Sequence, residues 1–446
     1  MKRTSRNISG DGMSLRFVLP VVGETLLTIL VGLVFSSIIS VISASALAAI
    51  GMANTVMALV TSIFSVVTTG AVVLISRHIG AHENLQAGHT VEQSALLAVA
   101  LSVLIAAFSM GFAGPVMRLV MPSAEDALYG EAVRYFRLLM LSLPALILHS
   151  LLSTVSRAVG DSRNPMLVAI LMNLSQLAFG YLFIVGFHME ETGAALAYVG
   201  CRTVGASLMA LILLRDHRHF SLHLRNLLRP QTDVLRRILN IGIPACLESV
   251  FVQVGYLLAN SMAIALGTFE AGVYQILMTI NTFTALPQNV TLNVTTPITG
   301  HLIGAKDIPG ARRAGNLIWL TSMGFTLLLC GGVMLFGSPF AGVYSADPAT
   351  IAATAGFAWL LMVLNIPASS INSIDPQLRA GGDVRYVMFV TLSAVWLIRL
   401  PLTYLFCFVW DWGVPGIFLG NSISLYYRAI MGLLRRRGDK WLSKKI

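Results

Sequence analysis

The chain has 446 residues, of which 56% are hydrophobic and only 11% are charged, and its formal net charge at pH 7 is +10. Soluble domains carry roughly 25% charged residues, so this composition excludes a soluble, a disordered or a fibrous protein. Uncharged apolar tracts are instead typical of membrane-spanning helices. The four cysteines lie in such tracts without Cys-x-x-Cys spacing, which argues against a disulfide framework or a zinc site.

Twelve apolar tracts follow one another, each long enough, at about 1.5 Å per residue, to cross a hydrocarbon core about 30 Å thick. A basic tail at 1–14 precedes a predicted N-terminal lobe at 15–214, with tracts at about 15–42, 47–75, 93–116, 132–155, 165–186 and 194–214. A basic linker at 215–238 leads to a C-terminal lobe at 239–434, with tracts at about 241–266, 272–303, 314–336, 351–374, 386–410 and 414–434, and a basic tail at 435–446.

The charges of the connections indicate an orientation in the membrane. Lys and Arg concentrate in the even-numbered connections and in both tails, whereas the odd-numbered connections carry acids. Because Lys and Arg stay preferentially on the cytoplasmic side, both termini are predicted to be cytoplasmic in the inner cell membrane, which requires an even number of spans. We therefore expect the basic residues to lie at the cytoplasmic surface of the lipid bilayer, and we expect no nucleic-acid partner.

Several landmarks of the first half recur in the second. Pro20 and Glu24 recur 224 residues later as Pro244 and Glu248. The sequence Ile-Gly-Ala at 79–81 recurs at 303–305, and the pattern Arg-Ala-x-Gly-Asp-x-Arg occurs at 157–163 and 379–385. The shared spacing predicts a duplication, with two six-span lobes related by an axis along the membrane normal and a substrate route between them. The Asp and Arg of the two Gly-Asp turns are expected to be hydrated.

These motifs, together with Arg399-Leu-Pro in the eleventh tract, resemble the multidrug and toxic compound extrusion (MATE) family over about 15–434. The resemblance implies an all-α integral membrane protein with twelve transmembrane helices in two six-helix lobes related by pseudo-two-fold symmetry. Members of that family export organic, often cationic compounds in exchange for sodium or protons. Many of them carry an aspartate where this chain has Phe35, so their N-terminal cation site is not carried over. Polar residues expected to bind substrate between the lobes are Asn54, Gln253, Asn260, Gln275, Asn281 and Gln288.

Glu24 and Glu248 are the first candidates for ion coupling, because a charge inside a span costs about 2.5 to 3.5 kcal/mol and is typical of a functional site. The alternative is a structural hydrogen bond to a neighbouring helix or to a carbonyl freed by the preceding proline. Asp375 and His149 are further candidates. Asp375 alternatively lies solvated at the membrane boundary, and His149 alternatively serves as a neutral hydrogen-bonding residue.

Two arginines lie inside predicted spans, Arg202 in the sixth and Arg399 in the eleventh. A guanidinium does not deprotonate, so each must find a carboxylate, carbonyls or water. We interpret them as counter-ions that tune a nearby acid or as contacts for an anionic substrate, with structural pairing as the alternative. Arg428, near the inner end of the twelfth tract, is expected to extend to the surface.

The sequence has neither a nucleotide-binding phosphate loop nor a nucleophile constellation, which disfavours an enzyme or an ATP-driven pump. The prediction is a secondary active transporter, functional as a monomer, that exports hydrophobic and cationic organic compounds by antiport through alternating access. It is expected to need no cofactor and no metal, its coupling ion being a proton or sodium. The alternatives are a flippase of a lipid-linked saccharide and, from another class, an intramembrane enzyme or scaffold.

Overall fold

The computed structural model of the protein describes residues 15–42, 44–120, 126–215, 230–438 and 441–442, and within these ranges it contains helices and turns but no strand. Helices dominate because a backbone in lipid must satisfy its hydrogen bonds within the segment itself. The chain divides into two compact units, with the division between Ile243 and Pro244. The whole of the N-terminal tail, a large part of the basic linker and half of the C-terminal tail lie outside the described residues.

The N-terminal unit contains the first six spans. Its helices are Leu15–Ile42 (span 1), Ala44–Ile63 with Ser65–Gly80 (span 2), Asn84–Gly111 with Ala113–Val120 (span 3), Asp126–Leu141 with Leu143–Ala158 (span 4), Arg163–Gly180 with the π-helical turn Tyr181–Gly186 (span 5) and Glu190–Arg215 (span 6). The first three turns of the span 7 helix also belong to this unit, because Gly242 lies so close to span 2 that a Cβ there would overlap the Val66 carbonyl oxygen.

The C-terminal unit contains the remaining spans. Its helices are the part of Thr232–Ala265 that follows Ile243 (span 7), Thr268–Thr284 with Leu286–Gly304 (span 8), Ile308–Leu335 followed by Gly337–Gly342 (span 9), Pro348–Gly356 with Trp359–Ala380 (span 10), Val384–Ser393 continued through Leu400–Tyr404 and two π-helical turns to Val409 (span 11) and Val414–Arg437 (span 12). All twelve predicted tracts are thus helical within the described residues. Eight of these helices are long and apolar enough to cross a membrane, and spans 4 and 10 qualify as pairs bent by 46° and 43°.

The backbone repeats the duplication that the sequence predicts. Spans 2 and 8 are each broken in the middle, spans 4 and 10 are each bent, and spans 5 and 11 each end in a π-helical turn. Left-handed residues recur at matching positions with nearly equal φ, in the pairs His82 and Lys306 (61° and 61°), Gly160 and Gly382 (88° and 89°), and His188 and Asp411 (52° and 54°). Equivalent connections of the two units therefore adopt the same turns, since a positive φ is uncommon outside glycine.

The end of the chain packs against the C-terminal unit through Trp441, which is completely buried among Ile374, Leu378 and Val387. A Cβ at Gly381 would lie 2.5 Å from the indole. The matching position of the first half holds Val159, so the Gly-Gly of the second turn makes room for this tryptophan.

Candidate functional site

Glu248 is the most highly coordinated carboxylate inside the described spans. It lies on span 7, four residues after Pro244, and its side chain is 4% exposed. Arg379 donates to both of its oxygens at 2.8 Å, Arg428 donates at 3.2 Å, and the hydroxyl of Thr391 donates at 3.1 Å. Spans 10, 11 and 12 therefore all converge on one acid of span 7.

Asp375 belongs to the same assembly. Arg428 donates to its Oδ2 at 2.9 Å, so one guanidinium joins two carboxylates. Glu248, Asp375, Arg379 and Arg428, which we call the C-terminal charge cluster, contain two acids and two bases whose formal charges cancel when all four are ionised. The structure thus brings together two of the predicted coupling residues, and Asp375 is buried rather than solvated.

The N-terminal unit contains a simpler version of this arrangement. Arg157 donates to Oε1 of Glu24 at 2.6 Å, with side chains 8% and 17% exposed. The other oxygen of Glu24 is buried and has no hydrogen-bond partner in the described part of the chain. His149 is buried on the same helix as Arg157, within the electrostatic influence of this pair. The position that matches Asp375 holds Ser153, so the second acid is missing here.

The expectation that the charged residues of the Gly-Asp turns are hydrated was wrong for Arg157, Arg379 and Asp383. The motif arginines Arg157 and Arg379 are not hydrated turn residues, because span 4 and span 10 continue one residue beyond them and direct them to Glu24 and Glu248. Asp383 is completely buried and accepts a hydrogen bond of 2.6 Å from Arg435.

Arg428 is likewise not a side chain that extends to the membrane surface, since it lies in the C-terminal charge cluster. The sequence contains a signal for its pairing. Asp375 and Arg428 both lack a charged counterpart in the first half, where the matching positions are Ser153 and the apolar stretch 204–206. Two charges that the duplication does not repeat, Asp375 and Arg428, thus pair with each other.

The two other intramembrane arginines contact aromatic rings. The Cζ atom of Arg399 lies 4.5 Å from the ring centroid of Tyr256, and that of Arg202 lies 4.9 Å from the centroid of Tyr198. Arg202 also donates to the hydroxyl of Ser142. Neither guanidinium has a carboxylate within 4.0 Å among the described residues. Among the described residues, no ion pair therefore supports the expectation that Arg202 and Arg399 tune a nearby acid.

The predicted substrate-binding residues fall into three groups. Asn54 lines a cavity of about 500 Å³ in the N-terminal unit, which Arg202 also lines. Asn281 and Gln288 enter an amide network around the buried Asn365, whose side-chain oxygen accepts from Gln288 and whose nitrogen donates to Asn281 at 2.8 Å. The third group consists of Gln253, Asn260 and Gln275, which are partly or fully exposed. Within the described residues, their side chains form no hydrogen bond with the amide network.

Phe35 is 1% exposed and packs its edge against Tyr198, with ring centroids 5.3 Å apart. It also lies directly against Gly180 of span 5. The position is thus an apolar packing site.

The described residues include no group of three or more His, Cys, Asp or Glu side chains that could hold a metal ion. All four cysteines are free.

Comparisons with known proteins support the fold and the repeat. A family model described as MatE matches residues 20–182 and 244–405, so the two matches begin at the repeated prolines. The probable multidrug resistance protein NorM of Thermotoga maritima is 24% identical over 440 residues, which cover 97% of this chain and 93% of that protein.

Two solved structures share the fold. A MOP superfamily transporter from Pyrococcus furiosus, for which the reverse polarity of its binding pocket suggests a different function, has a TM-score of 0.88 at 20% identity, covering 97% of this chain and 96% of that one. A MATE protein in complex with MaL6 has a TM-score of 0.88 at 20% identity over 96% of both chains.

Proposed function

Since the chain belongs to the MATE family, we propose that it exports hydrophobic organic compounds from the cell by antiport with protons or sodium through alternating access. Proteins of this family are transporters, not enzymes, and the twelve-helix, two-lobe fold predicted from the sequence is confirmed. We further propose that the protein acts as a monomer in the inner membrane, with both termini cytoplasmic.

The observation that carries the proposal is the C-terminal charge cluster. Buried charges without full compensation are costly, and the cluster is neutral only while Glu248 and Asp375 are both ionised. Binding of a proton or a sodium ion there would add one positive charge beside two guanidinium groups. The protein can lower that cost by rearranging the helices that supply Arg379 and Arg428, which links occupancy of the site to conformation.

The direction of the proposed cycle follows from this linkage. Arrival of the ion from the outside weakens substrate binding and favours release outward, and departure of the ion to the inside restores binding. The N-terminal pair of Glu24 and Arg157 provides a second, weaker site of the same kind. The multidrug resistance name of the Thermotoga relative favours efflux over the flippase alternative.

The test is uptake of a fluorescent cationic dye into proteoliposomes under an imposed pH or sodium gradient. We expect gradient-driven uptake by the wild type and its loss in Glu248→Gln and Asp375→Asn. The matched control is Glu83→Gln, because Glu83 is a half-exposed acid outside the long spans that pairs with His78. Full gradient-driven transport by the double variant Glu24→Gln/Glu248→Gln would reject the coupling role of both acids.

A further inference from the structure

The cavity of about 500 Å³ in the N-terminal unit lies between spans 2, 4 and 6. This volume falls in the range of about 300 to 1,000 Å³ that is usual for small-molecule sites. Apolar side chains form one part of its wall and short polar side chains the rest. The lining consists of Asn54, Met57, Ala58, Thr61, Phe64, Ser65, Thr68, Leu146, Ile147, Ser150 and Arg202.

Arg202 is the one charged side chain among these lining residues, and no carboxylate lies within 4.0 Å of it in the described part of the chain. A guanidinium has five N–H donors. In the described part of the chain the guanidinium donates to the hydroxyl of Ser142 and lies over the face of Tyr198, and both of these groups are uncharged. The positive charge therefore remains uncompensated at the cavity wall.

No other residue of the wall supplies the missing counter-charge. The hydroxyls of Thr61 and Ser65 donate to carbonyls of their own helix, at 3.0 and 2.8 Å, and carry no charge. Phe35, at the position where the family resemblance leads one to expect an acid, packs against the edge of Tyr198. The ring that stacks on Arg202 is thus flanked by a second ring instead of by a carboxylate.

We infer that this cavity binds organic compounds that carry a carboxylate, and that Arg202 is the residue that selects for it. The inference rests on the proposed efflux function and specifies its substrates as hydrophobic organic compounds that carry an anionic group, including amphoteric compounds. A carboxylate provides two acceptors that match the fork of a guanidinium. Met57, Phe64 and Ile147 contact the apolar body, while the Asn54 amide provides a further donor.

Rhodamine B and its ethyl ester provide a matched pair of probes, because they share one cationic ring system and differ only in the free carboxylate. Binding is measured by fluorescence polarisation to the protein in lipid nanodiscs, with empty nanodiscs as the blank. A charge-assisted hydrogen bond of ordinary strength predicts that the wild type binds rhodamine B about 10-fold more tightly than the ester.

The variants assign this preference to one residue. Arg202→Gln should bring the two affinities within about 2-fold of each other, and Arg202→Lys should keep part of the preference. Arg137→Gln removes an exposed arginine of the same unit that does not line the cavity, and should leave the ratio unchanged. If Arg202→Gln does not fold, a preference that is as strong in Arg202→Lys as in the wild type would count against the role of Arg202, and the wild-type ratio still tests whether the cavity prefers a carboxylate.

Three results for the wild type would overturn the inference: equal affinities for the two dyes, tighter binding of the ester, or binding of neither dye. A preference for rhodamine B that persists in folded Arg202→Gln would overturn it as well. Gradient-driven uptake of the ester into proteoliposomes is measured in parallel. If the ester is transported but rhodamine B is not preferred, the inference fails and the proposed function stands. If neither dye moves under any gradient, the proposed function fails.

Discussion

Replacing Glu248 by glutamine should destabilise the C-terminal unit more than the same change at Glu24 destabilises the N-terminal unit. Glu248 accepts four hydrogen bonds from three side chains, whereas Glu24 accepts one, from Arg157. Glutamine retains the shape but removes the charge. Glu248→Gln therefore leaves Arg428 paired with Asp375, and leaves the guanidinium of Arg379 without a carboxylate within 4.0 Å among the described residues.

The magnitudes follow from burial. Breaking a buried ion pair by removing one partner costs about 3 to 5 kcal/mol, and the side chain of Glu248 is only 4% exposed. The side chain of Glu24 is 17% exposed and loses one charge-assisted hydrogen bond, which contributes about 1.5 to 3 kcal/mol. We therefore expect the loss of unfolding free energy to be larger for Glu248→Gln by roughly 2 kcal/mol.

The buried thiols provide the assay. Cys201 reports on the N-terminal unit and Cys407 on the C-terminal unit, and both are almost fully buried. In backgrounds that keep one of these cysteines, a thiol-reactive fluorogenic dye measures the temperature at which each unit opens. Glu248→Gln should lower the opening temperature reported by Cys407, and Glu24→Gln should lower that reported by Cys201 by a smaller amount. Equal shifts, or a more stable Glu248→Gln, would refute the assignment of Glu248 as the centre of a buried charge cluster.

Three further predictions concern other parts of the chain. Gly381→Val, which installs the residue of the first half, should displace Trp441 and shift its fluorescence to longer wavelength in a single-tryptophan background; an unchanged spectrum would contradict the packing described. The hydroxyl and N–H of Thr350 donate to Asp347 at the start of span 10 and lower the pKa of that carboxyl below its ordinary value near 4. The ionised Asp347 therefore stabilises the fold at neutral pH, and this stabilisation is lost as the pH falls through the lowered pKa. Thermal unfolding from pH 6 to pH 3 should show this loss in the wild type but not in Asp347→Asn, and identical pH profiles would count against it. Asn365→Ala removes the centre of the buried amide network and should cost about 2 to 3 kcal/mol by leaving polar partners unsatisfied, as measured by the opening temperature of Cys407; a loss below about 0.5 kcal/mol would show the network to be dispensable.

The fold was predictable because the membrane leaves few alternatives. Long apolar tracts must be helical in lipid, and a proline and a glutamate repeated together at Pro20/Glu24 and Pro244/Glu248 reveal the duplication without any structure. The positions of helix breaks were less accessible, because they depend on local packing.

The candidate site was predictable only in part. Glu24, Glu248 and Asp375 stand out because acids are rare inside spans, but the sequence predicts hydrated turns for Arg157 and Arg379 and a surface position for Arg428. Spacing along the chain locates Arg157 and Arg379 at the ends of tracts and does not tell whether the helix continues past them. Pairing over more than 100 residues of sequence depends on which helices are neighbours, and only the joint repetition of Glu and Arg in both halves hinted at it.

If the protein exchanges substrate for an ion held at Glu248 and Asp375, the exchange must operate in both directions. In proteoliposomes without any ion gradient, an imposed gradient of rhodamine B ethyl ester should by itself drive protons or sodium in the opposite direction, read by a trapped pH-sensitive or sodium-sensitive dye. We expect this counterflow in the wild type and its absence in Glu248→Gln/Asp375→Asn. Substrate movement without any ion counterflow in the wild type, or equal counterflow in the double variant, would contradict it.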